Sequence, residues 1–347
     1  MLGRLKPRVS TNVQINRFHT SPVANGKKVL ATRKLLRHSQ ERLEKQGFKL
    51  IQWPHDTCMP RERLLKEIEG AEGLICMMSD KIDKEVFEAA GSDLKVITTM
   101  SVGYDHIDIE SAKESNVQVG HTPDVLTDAT ADLAVLLVLA AARRMKEGQH
   151  AAEIGEWRDW RPEWLCGYQL TNKTLGVAGM GRIGQAITRR LKAFGIDRVL
   201  YWGRKEKAEL KESLNAEFVP FDQLVSQSDF VVACCALTPE TKELFDYETF
   251  KKMKKTAIFT NVARGAVVEQ EGLVRALKEN LIAGAGLDVT TPEPLPTDHE
   301  LFKLSNCVIL PHIGSATFET REIMGDICID NVIAALEEKS IPFGLKH

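Results

Sequence analysis

The apolar run Leu175 to Ala178 passes directly into Gly179-Met180-Gly181-Arg182-Ile183-Gly184 and then into a helical pattern that ends near Phe194. A chain that turns from strand to helix through three glycines at this spacing has few ways to fold. The first glycine permits the tight turn, the second lets backbone approach a pyrophosphate, and the third lets the helix pack closely on the strand. The start of the helix adds free N–H donors and positive potential. Alone the motif is weak, because glycines can serve a turn and nothing more. Its place at the head of a longer alternating series points to dinucleotide binding, with Gly179, Gly181, Arg182, Ile183 and Gly184 around the phosphates.

The series predicts six strands, Leu175 to Ala178, Val199 to Trp202, Phe230 to Ala233, Ala257 to Asn261, Ala283 to Val289 and Cys307 to Leu310. Helical stretches such as Ile183 to Phe194 and Glu271 to Asn280 separate them, which matches two mononucleotide-binding halves. An earlier series reads as strands over Lys28 to Thr32, Gly73 to Met77 and Lys95 to Met100, with helices over Arg61 to Glu69 and Lys84 to Ala90. Alternation of this kind implies parallel sheets covered on both faces. The 347 residues exceed the roughly 250 to 300 at which one core stops growing. The expected fold is therefore α/β, with two doubly wound parallel-sheet domains. A Rossmann-type dinucleotide-binding domain over 126–317 is inserted into a flavodoxin-like substrate domain made of 27–125 and 318–347. A long helical pattern from Thr127 to about Glu153 is a candidate for bridging the domains and packing on a partner subunit. A last helix, Thr317 to about Glu337, can return to the first domain.

Lys and Arg total 46 against 48 Asp and Glu, a formal net charge of -2, which argues against a dedicated nucleic-acid binder. Seven cysteines without a C-x-x-C spacing fit neither a disulfide framework nor a zinc site, so no metal is expected. No apolar run reaches the roughly 18 residues that span a bilayer, and no membrane partner is expected. The charge is uneven, however. Met1 to Gly26 carries Arg4, Lys6, Arg8 and Arg17, several Ser and Thr, and no Asp or Glu. That is the composition of a mitochondrial transit peptide, and Arg17-Phe18-His19-Thr20-Ser21 resembles an arginine-directed processing site. A disordered tail or a misassigned start codon, which would imply a cytoplasmic protein, is the alternative.

About 20 residues past the glycine loop an Asp or Glu would bind the ribose hydroxyls of NAD. The second strand ends instead in Tyr201-Trp202-Gly203-Arg204-Lys205. A guanidinium and an ammonium pair with a 2'-phosphate where a carboxylate would repel it, so NADP(H) is the expected cofactor, with NAD(H) still possible. The competing reading makes Arg204 and Lys205 a solvated turn and gives the acidic role to Glu206, which lies beyond the expected strand end.

Three polar residues follow predicted strand ends, where open α/β sheets bind ligands: Arg264, Glu293 and His312. Each has an ordinary surface reading, but together they suit reduction of a ketone. The alkoxide left by hydride transfer needs a proton, which a histidine can supply. A carboxylate beside the ring favours its charged form, and an arginine can bind a substrate carboxylate or carbonyl oxygen.

These residues sit in motifs that resemble the D-isomer-specific 2-hydroxyacid dehydrogenases, most of all the glyoxylate reductase/hydroxypyruvate reductase branch. The motifs are Thr99-Met100-Ser101-Val102-Gly103, Asp124-Val125-Leu126-Thr127-Asp128, Trp164-Leu165-Cys166-Gly167-Tyr168, the glycine loop, Arg264-Gly265, Gly286-Leu287-Asp288-Val289, Pro292-Glu293-Pro294-Leu295-Pro296 and Pro311-His312-Ile313-Gly314-Ser315-Ala316. The resemblance runs from about Lys28 to the C-terminus. It implies that Arg264, Glu293 and His312 are the catalytic trio, and that Val102 and Gly103 hold the substrate carboxylate through backbone N–H groups. It places Asp288 by the nicotinamide carboxamide, and Thr130, Ala236, Val262 and Gly314 along the cofactor cleft. It also implies a homodimer, with Trp160 reaching the partner's active site, although a surface or core aromatic fits the sequence equally. Two positions depart from the pattern: Asp132 stands where Glu is frequent, and Tyr104 where relatives carry a smaller aliphatic residue.

The expected activity is NADPH-preferring reduction of glyoxylate to glycolate and of hydroxypyruvate to D-glycerate. Other readings on the same scaffold are a phosphoglycerate dehydrogenase, against which the cationic strand end and the short stretch after His312 count, a D-lactate dehydrogenase, and a nucleotide-sensing corepressor.

Overall fold

The computed structural model describes residues 26–345. The basic segment read as an address lies, except for Gly26, outside the described residues. Strands β1 (Lys28–Ala31), β2 (Lys49–Gln52), β3 (Gly73–Cys76), β4 (Val96–Thr99) and β5 (Gln118–Gly120) form a sheet in the order β2-β1-β3-β4-β5. A second sheet contains β6 (Thr174–Ala178), β7 (Arg198–Trp202), β8 (Ala216–Phe218), β9 (Phe230–Ala233), β10 (Ile258–Asn261), β11 (Gly284–Leu287) and β12 (Cys307–Ile309). Its order is β12-β11-β10-β9-β6-β7-β8. Every strand pair is parallel. The inner strands β3, β4, β9, β10 and β11 are buried at every residue, as parallel strands covered on both faces must be. The two-sheet α/β architecture expected from the alternation is present.

The strands that escaped the sequence are β2, β5 and β8, which all lie at sheet edges. Lys49-Leu50-Ile51-Gln52 and Ala216-Glu217-Phe218 carry too few apolar residues to stand out, because an edge has a neighbour on one side only. The helix Arg37–Lys45 was equally hidden, as it buries only Ser39 and Leu43.

The long pattern from Thr127 is two helices, Thr127–Ala142 and Met145–Glu153, broken at Arg144 in the left-handed region (φ 53°, ψ 41°). The Ala142 carbonyl accepts the Tyr168 N–H at 2.9 Å, which closes the first helix. That helix is apolar over most of its circumference because the second sheet and the helix Arg182–Ala193 cover it, while Asp128, Asp132 and Leu136 stay exposed. A Cβ on Gly286 would come within 2.9 Å of Leu137. The second helix is largely polar and runs on along the surface.

The final helix, Phe318–Leu336, is capped by Thr317, whose hydroxyl accepts the Thr320 N–H at 3.2 Å. It crosses back to the first sheet, where Met324, Cys328 and Val332 pack with Val29, Ala31, Ile75 and Val96. Buried Asn331 fastens it there. Its Nδ2 donates to Thr98 Oγ1 at 3.3 Å and its Oδ1 accepts the Phe343 N–H at 3.0 Å. Asn331→Ala strands a buried donor and opens a small void, so it should lower unfolding free energy by about 1–3 kcal/mol. Urea denaturation at neutral pH measures this directly.

Candidate active site

Parallel strands place all their C-terminal ends on one edge of each sheet, and here the loops leaving the two edges meet. Arg264, past β10, donates from Nε to Asp105 Oδ1, past β4, at 3.1 Å. Its guanidinium lies so close to Gly103 that any Cβ there would overlap it. Arg182, past β6, pairs with Asp124, past β5, at 2.6 Å. These contacts define a cleft with one sheet on each side.

The glycine loop forms the floor of the cleft on the second sheet. Gly179 has φ +102°, and a Cβ on it would come within 2.6 Å of the Cys235 backbone. A Cβ on Gly184 would strike the Gly179 carbonyl. Nothing lies within 4 Å of the Cβ position of Gly181, which caps the helix Arg182–Ala193. The motif therefore has tight packing at its first and third glycines and open space at the second, as a pyrophosphate requires. The residues fit a dinucleotide. Ile183 bridges the apolar clusters of both sheets. Arg204 and Lys205 stand exposed past β7, as does Glu206, and neither cation has a carboxylate partner among the described residues. Lys207, which the sequence analysis passed over, points back at the loop, with Nζ on the Met180 carbonyl at 3.0 Å. The Tyr201 hydroxyl accepts the Lys207 N–H at 2.9 Å. Behind the loop, Cys234 Sγ donates to the Gly179 carbonyl at 3.0 Å.

The opposite end of the same edge carries the titratable groups. His312 Nδ1 meets Glu293 Oε2 at 2.7 Å, and Glu293 Oε1 accepts the Thr290 N–H at 3.0 Å. The carboxylate is thus fixed at both oxygens, and the imidazole keeps Nε2 for another partner. His312 has φ +54°, an unfavourable conformation for a residue with a Cβ. Its N–H is held by the Asp288 carbonyl at 2.8 Å. Asp288 is 3% exposed and accepts N–H groups from Ile313 at 2.7 Å and Gly314 at 2.9 Å. Burial pushes its carboxyl above the usual range, against those bonds and the nearby His312. Gly314 has space for neither neighbour to approach further, since its Cβ would meet Asp288 at 3.0 Å and Thr130 at 3.3 Å. Val262 and Ala236 follow β10 and β9 on the same edge, the Ala236 carbonyl held by Thr241 Oγ1 at 2.7 Å. Asn261 pins the Arg264 turn by donating to the Arg264 carbonyl at 2.9 Å and accepting the Ala263 N–H at 3.0 Å.

The structure sets Arg264 against Gly103, Glu293 against His312, and Asp288 and Thr130 against Gly314, while Arg204 and Lys205 stay exposed past β7. Trp160 is 81% exposed. Asp132, one of the two departures, joins Asp128 in pairing with Arg190. Tyr104, the other, is exposed and sets its ring edge-on to His121, with 5.9 Å between centroids. Among the described residues no group of three or more His, Cys, Asp or Glu could hold a metal, and no helix is long and apolar enough to cross a membrane.

Two parallel sheets, a glycine cradle fit for a dinucleotide and a His–carboxylate pair on the same strand edge define a nucleotide-dependent oxidoreductase. The model of the D-isomer specific 2-hydroxyacid dehydrogenase NAD-binding domain matches residues 135–314. The human glyoxylate reductase/hydroxypyruvate reductase is 49% identical over 320 residues, covering 92% of this chain and 98% of that protein. Among solved structures, a Thermus thermophilus protein superposes with TM-score 0.85 at 45% identity, covering 92% of this chain and all of that one (100%). An NADPH-dependent glyoxylate/hydroxypyruvate reductase from Sinorhizobium meliloti, solved with NADP and malonate, gives TM-score 0.78 at 27% identity, covering 92% and 96%. The chain belongs to the D-isomer-specific 2-hydroxyacid dehydrogenase family.

One titratable group under the substrate-side loop carries a consequence for stability. Burial pushes the His106 imidazole down from 6.5 to about 4, Arg264 acts in the same direction, and Asp105 and Asp80 oppose it. The unfolded chain therefore binds a proton near pH 6.5 that the folded chain refuses until about pH 4. The stabilisation is complete above the higher value and is lost as pH falls through the lower one, by about 3 kcal/mol in all. Urea midpoints measured from pH 7 to pH 4.5 should fall more steeply for the native chain than for His106→Gln.

Proposed function

We propose that the protein is an NADPH-preferring reductase that converts glyoxylate to glycolate and hydroxypyruvate to D-glycerate. The observation that carries this is the 2.7 Å His312–Glu293 pair on the same sheet edge as the glycine cradle, with Arg264 past β10 on that edge. The relatives named for these two keto acids support the substrate choice. A bound reduced nicotinamide supplies a hydride to the 2-keto carbon. The chain's own residues do the rest. Arg264 and the N–H groups of the Val102-Gly103 loop hold the carboxylate and set the face of the ketone. As charge develops on the carbonyl oxygen, His312 donates its Nε2 proton there, and Glu293 steadies the imidazolium before that transfer. The bond that forms is C–H, the carbonyl becomes a hydroxyl, and the imidazole is left neutral for reprotonation from solvent. Asp288 is placed to orient the carboxamide.

Preference for NADPH rests on Arg204 and Lys205, with Lys207 as a third cation between them and the loop. We assign residues 27–125 with 318–347 to the substrate unit and 126–317 to the cofactor unit, a division supported by the packing of the last helix on the first sheet. We further infer a homodimer. Leu136, Met145, Ile154, Trp157 and Trp160 are 45–81% exposed along the helices Thr127–Ala142 and Met145–Glu153 and the segment after them, an apolar strip that a second copy would cover. The basic segment of Met1 to Gly26 would direct the chain to mitochondria.

His312→Ala should abolish reduction of both keto acids, by at least about a thousandfold in kcat, while NADPH binding measured by fluorescence stays close to native. Retained turnover would exclude His312 as the acid. Arg204→Asp should raise KM for NADPH far more than KM for NADH in steady-state assays, and an equal rise in both would remove the cofactor reading. Sedimentation of the native chain tests the dimer, and a fusion of residues 1–30 to a fluorescent protein tests the address.

A further inference from the structure

The loop Val102-Gly103 is held from beneath by a chain of buried side chains that the reaction itself does not use. Ser101 Oγ donates to the Gly103 carbonyl at 2.5 Å, Thr99 Oγ1 lies 3.0 Å from Ser101 Oγ, and His106 Nε2 lies 3.0 Å from Thr99 Oγ1. Thr99 is 0% exposed and Ser101 2%. His106 Nδ1 is buried and has no hydrogen-bond partner among the described residues.

The proton inventory gives this chain a direction. A carbonyl oxygen only accepts, so the single Ser101 proton is committed to Gly103. The single Thr99 proton must then go to Ser101, and Thr99 must accept from His106. That assigns the Nε2–H tautomer to His106 and leaves Nδ1 a bare lone pair, which is consistent with its lack of a partner. From the other side, His121 Nδ1 lies 2.9 Å from the Val102 carbonyl. Across a trans, planar peptide, the N–H of one residue points opposite to the preceding carbonyl. Holding the Val102 carbonyl on His121 therefore aims the Gly103 N–H, and holding the Gly103 carbonyl on Ser101 aims the Tyr104 N–H. Neither N–H is taken by another group among the described residues.

We propose that His106, Thr99 and Ser101 form a one-way hydrogen-bond relay that positions the loop's N–H groups, the Tyr104 N–H included, to grip the substrate carboxylate beside Arg264. His106 and Ser101 are positioning residues, since they act through the loop. The proposal rests on the reductase reading above, and it makes carboxylate affinity depend on a histidine that meets no substrate.

Ser101→Ala, His106→Leu and His106→Gln in the full chain test it, with hydroxypyruvate as substrate and oxalate as a carboxylate that cannot be reduced. Ser101→Ala and His106→Leu should each raise KM for hydroxypyruvate and the inhibition constant of oxalate about tenfold. The NADPH dissociation constant should stay within about twofold. His106→Gln, which keeps a donor, should remain near native. If His106→Leu fails to fold, Ser101→Ala decides alone. Unchanged KM and oxalate inhibition in Ser101→Ala, or an equal loss of NADPH affinity, would overturn the relay. A native chain that does not reduce hydroxypyruvate would overturn the reductase reading instead, and calorimetric oxalate binding by the same variants would still judge the relay.

Discussion

The contact between Arg264 and Gly103 sets the rest of the active-site geometry. A guanidinium from one sheet lies against a residue without a side chain on the other, and Asp105 holds its Nε at 3.1 Å. With that approach the loops leaving the two sheets face a common space. The glycine at 103 is there for room: its Cβ position is already occupied by Arg264. Charge follows from the same contact. A half-buried arginine paired with one carboxylate keeps capacity for a second, and a small 2-keto acid brings one.

The glycine cradle past β6 and the His312–Glu293 pair at the β11–β12 end share one strand edge, and the spacing between them is inherited from strand order. β6 and β9 are neighbours, so the glycine turn and the backbone at Cys235 share the switch point, where such sheets bind ligands. β11 and β12 lie at the far end of the sheet, carrying Asp288 and His312. A dinucleotide held at the glycines would lie along that edge.

Much of this was legible in the sequence because the inner strands of a covered parallel sheet must be continuously apolar, and the glycine spacing has a steric meaning. Gly179, Gly181 and Gly184 behave as the turn argument requires, and His312 and Glu293, both read as following strand ends, meet. What was hidden obeys different physics. Edge strands such as Lys49–Gln52 owe their existence to the neighbour they pair with. The break at Arg144 depends on Tyr168, more than twenty residues away. Asp105 stood in plain view two residues past Gly103, yet nothing local distinguishes a carboxylate that meets an arginine 159 positions later. Lys207 was overlooked for the same reason, since its bond to Met180 exists only after β7 is laid beside β6.

The return of the helix Phe318–Leu336 to the first sheet has a consequence for biosynthesis. The face made by Val29, Ala31, Ile75 and Val96 is translated before the whole second sheet, and much of its cover, Met324, Cys328 and Val332, after it. While the second sheet is being made, the first therefore still shows one greasy side, and it stays so until the helix Phe318–Leu336 arrives. A chain released short of that helix would carry every strand of the second sheet and a first sheet with no back.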